Sequence, residues 1–95
     1  MDENGGSFLV EYCRQTWVRI RLSLAAYTYE FESREIMSDS DFDKMCLEVD
    51  PSIPTGNKTL DKFFRESFDP STGVWIWEHP EKHKIKYLVD KYYPS

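Results

Sequence analysis

Apolar residues recur at steps of three and four along the first third of the chain. Residues 8–31 contain no glycine or proline, and Ser7 just before them can cap a helix. This spacing predicts one buried face on a long amphipathic helix over residues 8–31, the spine of the domain. Residues 1–6 lack the pattern, and we expect them to be disordered. The apolar positions of the predicted face are Leu9, Cys13, Trp17, Ile20, Leu24, Tyr27 and Phe31.

Three shorter helices are predicted after the first. The hydroxyls of Ser38 and Thr59 can each accept a backbone N–H at a helix start, and Asp41 completes a capping-box-like arrangement with Ser38. Pro80 suits a first helical position. The predicted helices span residues 8–31, 39–49, 60–68 and 81–93.

Proline and glycine separate these helices. Residues 50–58 and 69–73 contain the chain's clearest turn signals and are predicted to be loops. Val74–Trp77 is a short apolar run, for which an extended segment remains an open alternative. We therefore predict a mainly α fold in a single domain over residues 1–95, a small bundle of about four helices with long loops.

Composition narrows the class of protein. The 95 residues are 40% hydrophobic and 16% aromatic, with 17 acidic and 12 basic residues and a net charge of −5. This balance disfavours nucleic-acid binding, which depends on clustered Lys and Arg, and it is compatible with a partner protein that has a basic surface. Neither a membrane span nor a signal peptide is visible, so we expect a cytoplasmic protein without a membrane partner. Cys13 and Cys46 are expected to be buried free thiols.

The aspartate spacing at the start of the second predicted helix resembles that of a calcium-binding loop. Asp39, Asp41 and Asp43 have the one-three-five spacing of an EF-hand loop, and Asp50 falls at its twelfth position. The sixth position requires glycine for a sharp turn, and here it is Lys44. The apolar spacing requires helix over the same residues, so we predict no calcium site.

The two histidines suggest neither a metal centre nor an enzyme. His79 and His83 provide two ligands, whereas a structural zinc site needs four. Neither has a visible nucleophile partner, and the four glycines form no phosphate-binding motif. We predict no catalytic residues, no metal and no cofactor.

A basic-aromatic stretch offers one alternative function. In an extended segment Trp75 and Trp77 would share one face, with Lys82, Lys84 and Lys86 just downstream. Indole rings beside lysines suit single-stranded nucleic acid. An accessory single-stranded nucleic-acid-binding factor is therefore one hypothesis.

The segment from Tyr27 to Cys46 is the most informative part of the chain. Tyr27-Thr28-Tyr29-Glu30 is followed by a bend and then by Met37-Ser38-Asp39-Ser40-Asp41-Phe42-Asp43-Lys44-Met45. Over about residues 27–49 this resembles the N-terminal helical subdomain of bacterial NAD-dependent DNA ligases, in a degenerate form standing alone. In that family an aromatic Tyr-x-Tyr-His stretch precedes a pattern close to Ile-Ser-Asp-Ala-Glu-Tyr-Asp-x-Leu.

The resemblance implies a nucleotide-binding corner with altered residues. In that family the subdomain helps to bind the nicotinamide mononucleotide (NMN) half of the cofactor, and Tyr29, Asp39 and Asp43 match ligand-contacting positions. Glu30 replaces a histidine, and an acid there should repel a phosphate. Phe42 replaces a tyrosine, which keeps the ring and removes a hydroxyl donor. A small NMN- or NAD-binding module is therefore a second alternative.

The leading hypothesis is a non-catalytic interaction protein with a ligase-like helical hairpin. The chain shows no adenylation domain, lysine-nucleophile motif, oligonucleotide-binding barrel or zinc module. Size and acidity suit a small phage or mobile-element protein that binds and inhibits a host protein of defence or nucleic-acid processing. The predicted partner-binding residues are Tyr29, Glu30, Asp39, Asp41, Phe42 and Asp43.

Overall fold

The computed structural model describes the backbone of residues 3–94 and the side chains of residues 13–94. Within these residues the chain is mainly helical and contains no β-strand, so the predicted four-helix, mainly α fold is confirmed. The helices are α1 (Glu3–Glu32), α2 (Asp39–Glu48), α3 (Lys58–Glu66) and α4 (Lys82–Tyr92), with a 3-10 helix over Val74–Glu78 between α3 and α4.

The helix starts agree with the predictions to different degrees. Ser38 caps α2 as predicted, because its Oγ accepts the N–H of Asp41 at 3.1 Å. Helix α3 is capped by Asn57 rather than Thr59, and α4 begins only at Lys82, after Pro80. Helix α1 is described from Glu3, earlier than predicted. The predicted disorder of residues 1–6 stays a prediction, and residues 1 and 2 lie outside the described residues.

The apolar run after the second loop is helical rather than extended. Val74–Glu78 forms a 3-10 helix, in which the carbonyl of Gly73 accepts the N–H of Ile76 at 3.2 Å. The carbonyl of Ile76 in turn accepts the N–H of His79 at 3.1 Å. These local hydrogen bonds replace strand pairing, because the described residues offer this segment no neighbouring strand.

Helix α1 is the spine of the domain, and it packs against α2, the 3-10 helix and α4. The main core lies where α1 meets α2, α3 and the 3-10 helix, and a smaller cluster of Leu24, Ile85 and Val89 joins α1 to α4. The main cluster consists of Val18, Leu22, Ala26, Cys46, Phe63, Phe64, Trp75 and Ile76.

The predicted inward face of α1 is correct only toward its C-terminal end. Leu24 is buried, and Tyr27 and Phe31 pack against the core. Contrary to prediction, Cys13, Trp17 and Ile20 are exposed. The buried face of these turns runs instead through Gln15, Val18 and Arg19. Cys46 is buried as predicted. The side chain of Leu9 lies outside the described residues.

Polar side chains occupy the buried face of α1 that the sequence pattern missed. The side-chain amide of Gln15 bonds two backbone groups where the first loop, residues 50–58, begins. Its Nε2 donates to the Glu48 carbonyl at 2.7 Å, and its Oε1 accepts the N–H of Asp50 at 2.9 Å. Arg19 donates to the carbonyls of Asp50 and Ile53 at 2.7 and 2.8 Å. These bonds fix residues 48–53 against the middle of α1.

A buried ion pair ties α1 to α3. Arg19 Nη1 lies 3.0 Å from Asp61 Oδ1, and both side chains are almost fully buried. Asp61 also accepts from the N–H and Oγ1 of Thr55. The four-residue spacing of Asp61 and Arg65 would suit a surface pair, but Asp61 faces inward because Arg19 and Thr55 satisfy its carboxylate there.

Candidate functional site

A cavity of about 270 Å³ opens between the C-terminal part of α1, the start of α2 and the turn before the 3-10 helix. We call it the acidic-aromatic cavity. Five of the six residues predicted to bind a partner line it, namely Tyr29, Glu30, Asp39, Phe42 and Asp43. The sixth, Asp41, is exposed and does not line the cavity.

The bend between α1 and α2 brings these residues together. Ser33 adopts a left-handed conformation with φ of 54°, and the N–H of Arg34 donates to the carbonyl of Thr28 at 2.9 Å. The Arg34 guanidinium then bonds Glu32 at 2.6 Å and the carbonyl of Tyr93 at 2.7 Å. The bend is therefore held by main-chain and side-chain bonds, one of which reaches the end of α4.

Helix α2 sets the spacing of the two predicted aspartates. The Ser38 cap starts the helix, and Asp39 and Asp43 then lie four residues apart on one face. That face lines the cavity. Asp41 lies two residues from each of them and therefore on a different face of the same helix. For this reason it does not line the cavity.

Phe42 forms an apolar wall of the cavity. A Cβ built on Gly73 would lie 3.6 Å from Cζ of the Phe42 ring and 3.6 Å from Cβ of Ala26. The ring therefore lies close to the turn that precedes the 3-10 helix, and it packs against the main core cluster. Residues 71–73 line the cavity for this reason, and no local pattern predicted their contribution.

Trp77 links the predicted face to the 3-10 helix. Its Nε1 donates to Glu30 Oε1 at 2.9 Å, and its ring centroid lies 4.2 Å from that of Phe31. The carboxylate of Glu30 is therefore fixed in position at the edge of the cavity. These residues are 47 positions apart in sequence, so the contact could not be read from spacing.

The charges that line the cavity have one sign. Four carboxylates line it, those of Glu30, Glu35, Asp39 and Asp43, and none of the described lining residues is Lys, Arg or His. The Tyr29 ring at the same site is 58% exposed. Such a surface attracts cations and repels phosphate groups. Glu35 was missed in the sequence because it falls in the bend rather than in a motif.

The two tryptophans predicted to share a face do not share one. Trp75 is 4% exposed and its ring packs against Phe63, Phe64 and Phe68, whereas Trp77 is 51% exposed. The physical reason is the 3-10 helix, whose three residues per turn point residues 75 and 77 in different directions. The prediction that Trp75 and Trp77 form one shared binding face is therefore wrong.

The lysines of the same hypothesis have partners within the protein. Lys82 Nζ donates to the carbonyls of Trp77 and His79 at the end of the 3-10 helix, at 3.0 and 3.2 Å. Lys84 pairs with Glu81 and Lys86 with Asp90, each at 2.7 Å. The described structure therefore gives this hypothesis no assembled surface.

His79 is a buried histidine in the core. Its Nδ1 accepts the N–H of Glu81 at 3.0 Å, its ring lies 5.2 Å from that of Phe63, and burial lowers its pKa to about 4. His83 is exposed. Among the described residues, no group of three or more His, Cys, Asp or Glu side chains is arranged to hold a metal ion.

The buried thiol is not activated. Burial, reinforced by the charges of Asp43 and Asp69, raises the pKa of Cys46 to about 11. The thiol therefore stays protonated at neutral pH, and a protonated thiol is a poor nucleophile.

Comparisons with known proteins identify no relative. No family model, curated protein or solved structure matches the chain. In the part of the chain that the structure describes, no helix has the length and apolar character needed to cross a membrane.

Proposed function

We propose that this chain is a non-catalytic interaction protein that docks its acidic-aromatic cavity onto a basic surface of a partner protein. The observation that supports this most is the convergence of Tyr29, Glu30, Asp39, Phe42 and Asp43 on one cavity. An exposed aromatic ring beside several carboxylates is a surface that binds cationic side chains through both charge and ring contact.

The proposed setting is a cytoplasmic one, in which a phage or mobile-element protein inhibits a host protein of defence or nucleic-acid processing. Its support is the net charge of −5. An acidic face on a small domain can occupy a basic surface that the host protein otherwise uses for another partner.

The experiment compares two sets of isosteric substitutions in α2. Asp39→Asn with Asp43→Asn removes two carboxylates from the cavity, whereas Asp41→Asn removes one that lies outside it. Tagged chains capture proteins from host lysate, and the captured partner is then purified and its binding measured by calorimetry. We expect the double variant to lose the partner and Asp41→Asn to retain it.

The matched control separates binding from folding. Asp39 and Asp41 both lie in the first turn of α2, so substituting either one weakens a favourable interaction with the helix dipole, and Asp41→Asn controls for that loss. Circular dichroism should report the same helix content for all chains. Equal partner binding by the wild type and the double variant would refute the proposed docking face.

A second candidate function is a small NMN- or NAD-binding module related to the ligase subdomain. It is favoured by one observation, that Tyr29, Asp39 and Asp43, which match the ligand-contacting positions of that family, line one cavity. It is opposed by the lack of a basic side chain among the described lining residues, because a bound phosphate would face carboxylates alone.

Titration with NMN tests this second candidate. If the module binds the nucleotide, amide resonances of Tyr29 and Asp39 should shift saturably at millimolar ligand. If those resonances do not move, the nucleotide-binding function is excluded and the protein-docking proposal is unaffected.

A further inference from the structure

The acidic-aromatic cavity has the size and chemistry for a single cationic side chain. We propose that one arginine of the partner enters it, so that the guanidinium lies between the ring of Tyr29 and the carboxylates of Asp39 and Asp43. This inference rests on the proposed function, and it names the group that the docking face recognises.

The walls of the cavity favour a flat, weakly hydrated cation. Tyr29 presents an exposed ring, and Phe42 supplies a second ring that lies near Gly73. Ile36 and Met37 line the same space. A guanidinium stacks on aromatic rings and sheds water more readily than the compact, strongly hydrated ammonium of lysine.

The arrangement of the carboxylates also favours arginine. Asp39 and Asp43 come from consecutive turns of α2, whereas Glu30 comes from α1, so acceptors lie on more than one side of the cavity. A guanidinium has five N–H donors in a planar fork and can bond carboxylates in several directions at once. A lysine ammonium would satisfy fewer of them in one position.

Glu30 is held in place before any ligand arrives. The indole N–H of Trp77 bonds its Oε1 at 2.9 Å, and Phe31 supports the indole ring. Fixing an acceptor in advance lowers the conformational entropy that binding must remove. The same bond makes the Trp77 indole N–H a reporter of charge that enters the cavity.

The test uses three capped tripeptides with a central arginine, lysine or citrulline. Citrulline has nearly the shape of arginine and no charge. The full chain, labelled with ¹⁵N, is titrated with each peptide at low salt, and the Trp77 indole resonance is assigned through Trp77→Phe. We expect the arginine peptide to shift the indole N–H of Trp77 and the amides of Asp39 and Gly73 saturably, with a millimolar Kd.

The controls define the chemistry. The lysine peptide should bind at least about threefold more weakly than the arginine peptide, and citrulline should give no saturable shift. Asp39→Asn with Asp43→Asn should weaken arginine binding by about tenfold or more, whereas Asp41→Asn should leave it within about twofold.

The outcomes separate this inference from the proposed function. No saturable shift with arginine, or equal shifts with citrulline, overturns the arginine site. If the purified partner still binds the wild type and not the double variant, the docking face stands and only its occupant is wrong. If the partner also binds the double variant, the proposed function fails with it.

Discussion

His79 couples the stability of the fold to pH. The residue is 2% exposed, and burial lowers its pKa from 6.5 to about 4 in the folded chain. Between these two values the unfolded chain binds a proton that the folded chain does not, so stability falls as pH decreases from about 6.5 to about 4. The difference corresponds to about 3 kcal/mol.

Urea unfolding at neutral pH and near pH 4.5 measures this effect. We expect the wild type to lose about 2–3 kcal/mol across this range and His79→Phe to lose much less, because phenylalanine retains the ring contact with Phe63 and cannot be protonated. His83→Gln, at an exposed histidine, is the matched control and should behave like the wild type. An unchanged pH dependence in His79→Phe would contradict this account.

Asp61 is a second buried residue whose pKa links the stability of the fold to pH. Burial alone would raise the pKa of its carboxyl, but hydrogen bonds from Thr55 and the nearby Arg19 charge outweigh burial and lower it. The carboxylate therefore adds stability above its ordinary pKa of 3.8, and this contribution is lost as pH falls through the lower folded value.

Removing the Asp61 carboxylate should leave Arg19 as an unpaired buried charge. We expect Asp61→Ala to lower the free energy of unfolding at neutral pH by about 3–5 kcal/mol. Asp90→Ala breaks the exposed pair with Lys86 and should cost less than about 1 kcal/mol. Thermal and urea unfolding of both variants measure the contrast, and similar losses would show that burial of the Arg19–Asp61 pair has no special weight.

At the scale of elements, local sequence patterns predicted the helices well. The start of α2 was predictable from Ser38, because the capping bond to the N–H of Asp41 involves only residues within one turn. The buried face of α1 was predicted poorly, because Gln15 and Arg19 are polar residues that satisfy distant backbone groups in the first loop. Apolar periodicity cannot detect such residues. The 3-10 helix was missed because four apolar residues do not distinguish an extended segment from a short helix.

The first loop is held by α1 through Gln15. Gln15→Leu removes both of its bonds to residues 48 and 50, and we expect a loss of about 1–3 kcal/mol together with faster hydrogen exchange at the Asp50 amide. Arg14→Ala disrupts only the exposed ion pair of Arg14 with Glu48 and should leave that amide protected. If both variants exchange alike at Asp50, Gln15 does not anchor the loop.

At the scale of the whole molecule, the cavity was only partly predictable. The segment from Tyr27 to Asp43 supplied most of its chemistry, because the bend between α1 and α2 is local. The walls from residues 71–73 and the bond from Trp77 to Glu30 arise from packing between distant parts of the chain. Those contacts make the predicted face concave, whereas the helical spacing of α2 places Asp39 and Asp43 on that face and leaves Asp41 outside it.

The most direct test of the docking face is the Kd of the purified partner for three chains: the wild type, the Asp39→Asn, Asp43→Asn double variant, and Asp41→Asn. We predict that at low salt the double variant binds at least about tenfold more weakly than the wild type and that Asp41→Asn binds within about twofold of it. If Asp41→Asn instead loses about half as much binding free energy as the double variant, in proportion to the charges removed, general acidity and not the cavity attracts the partner.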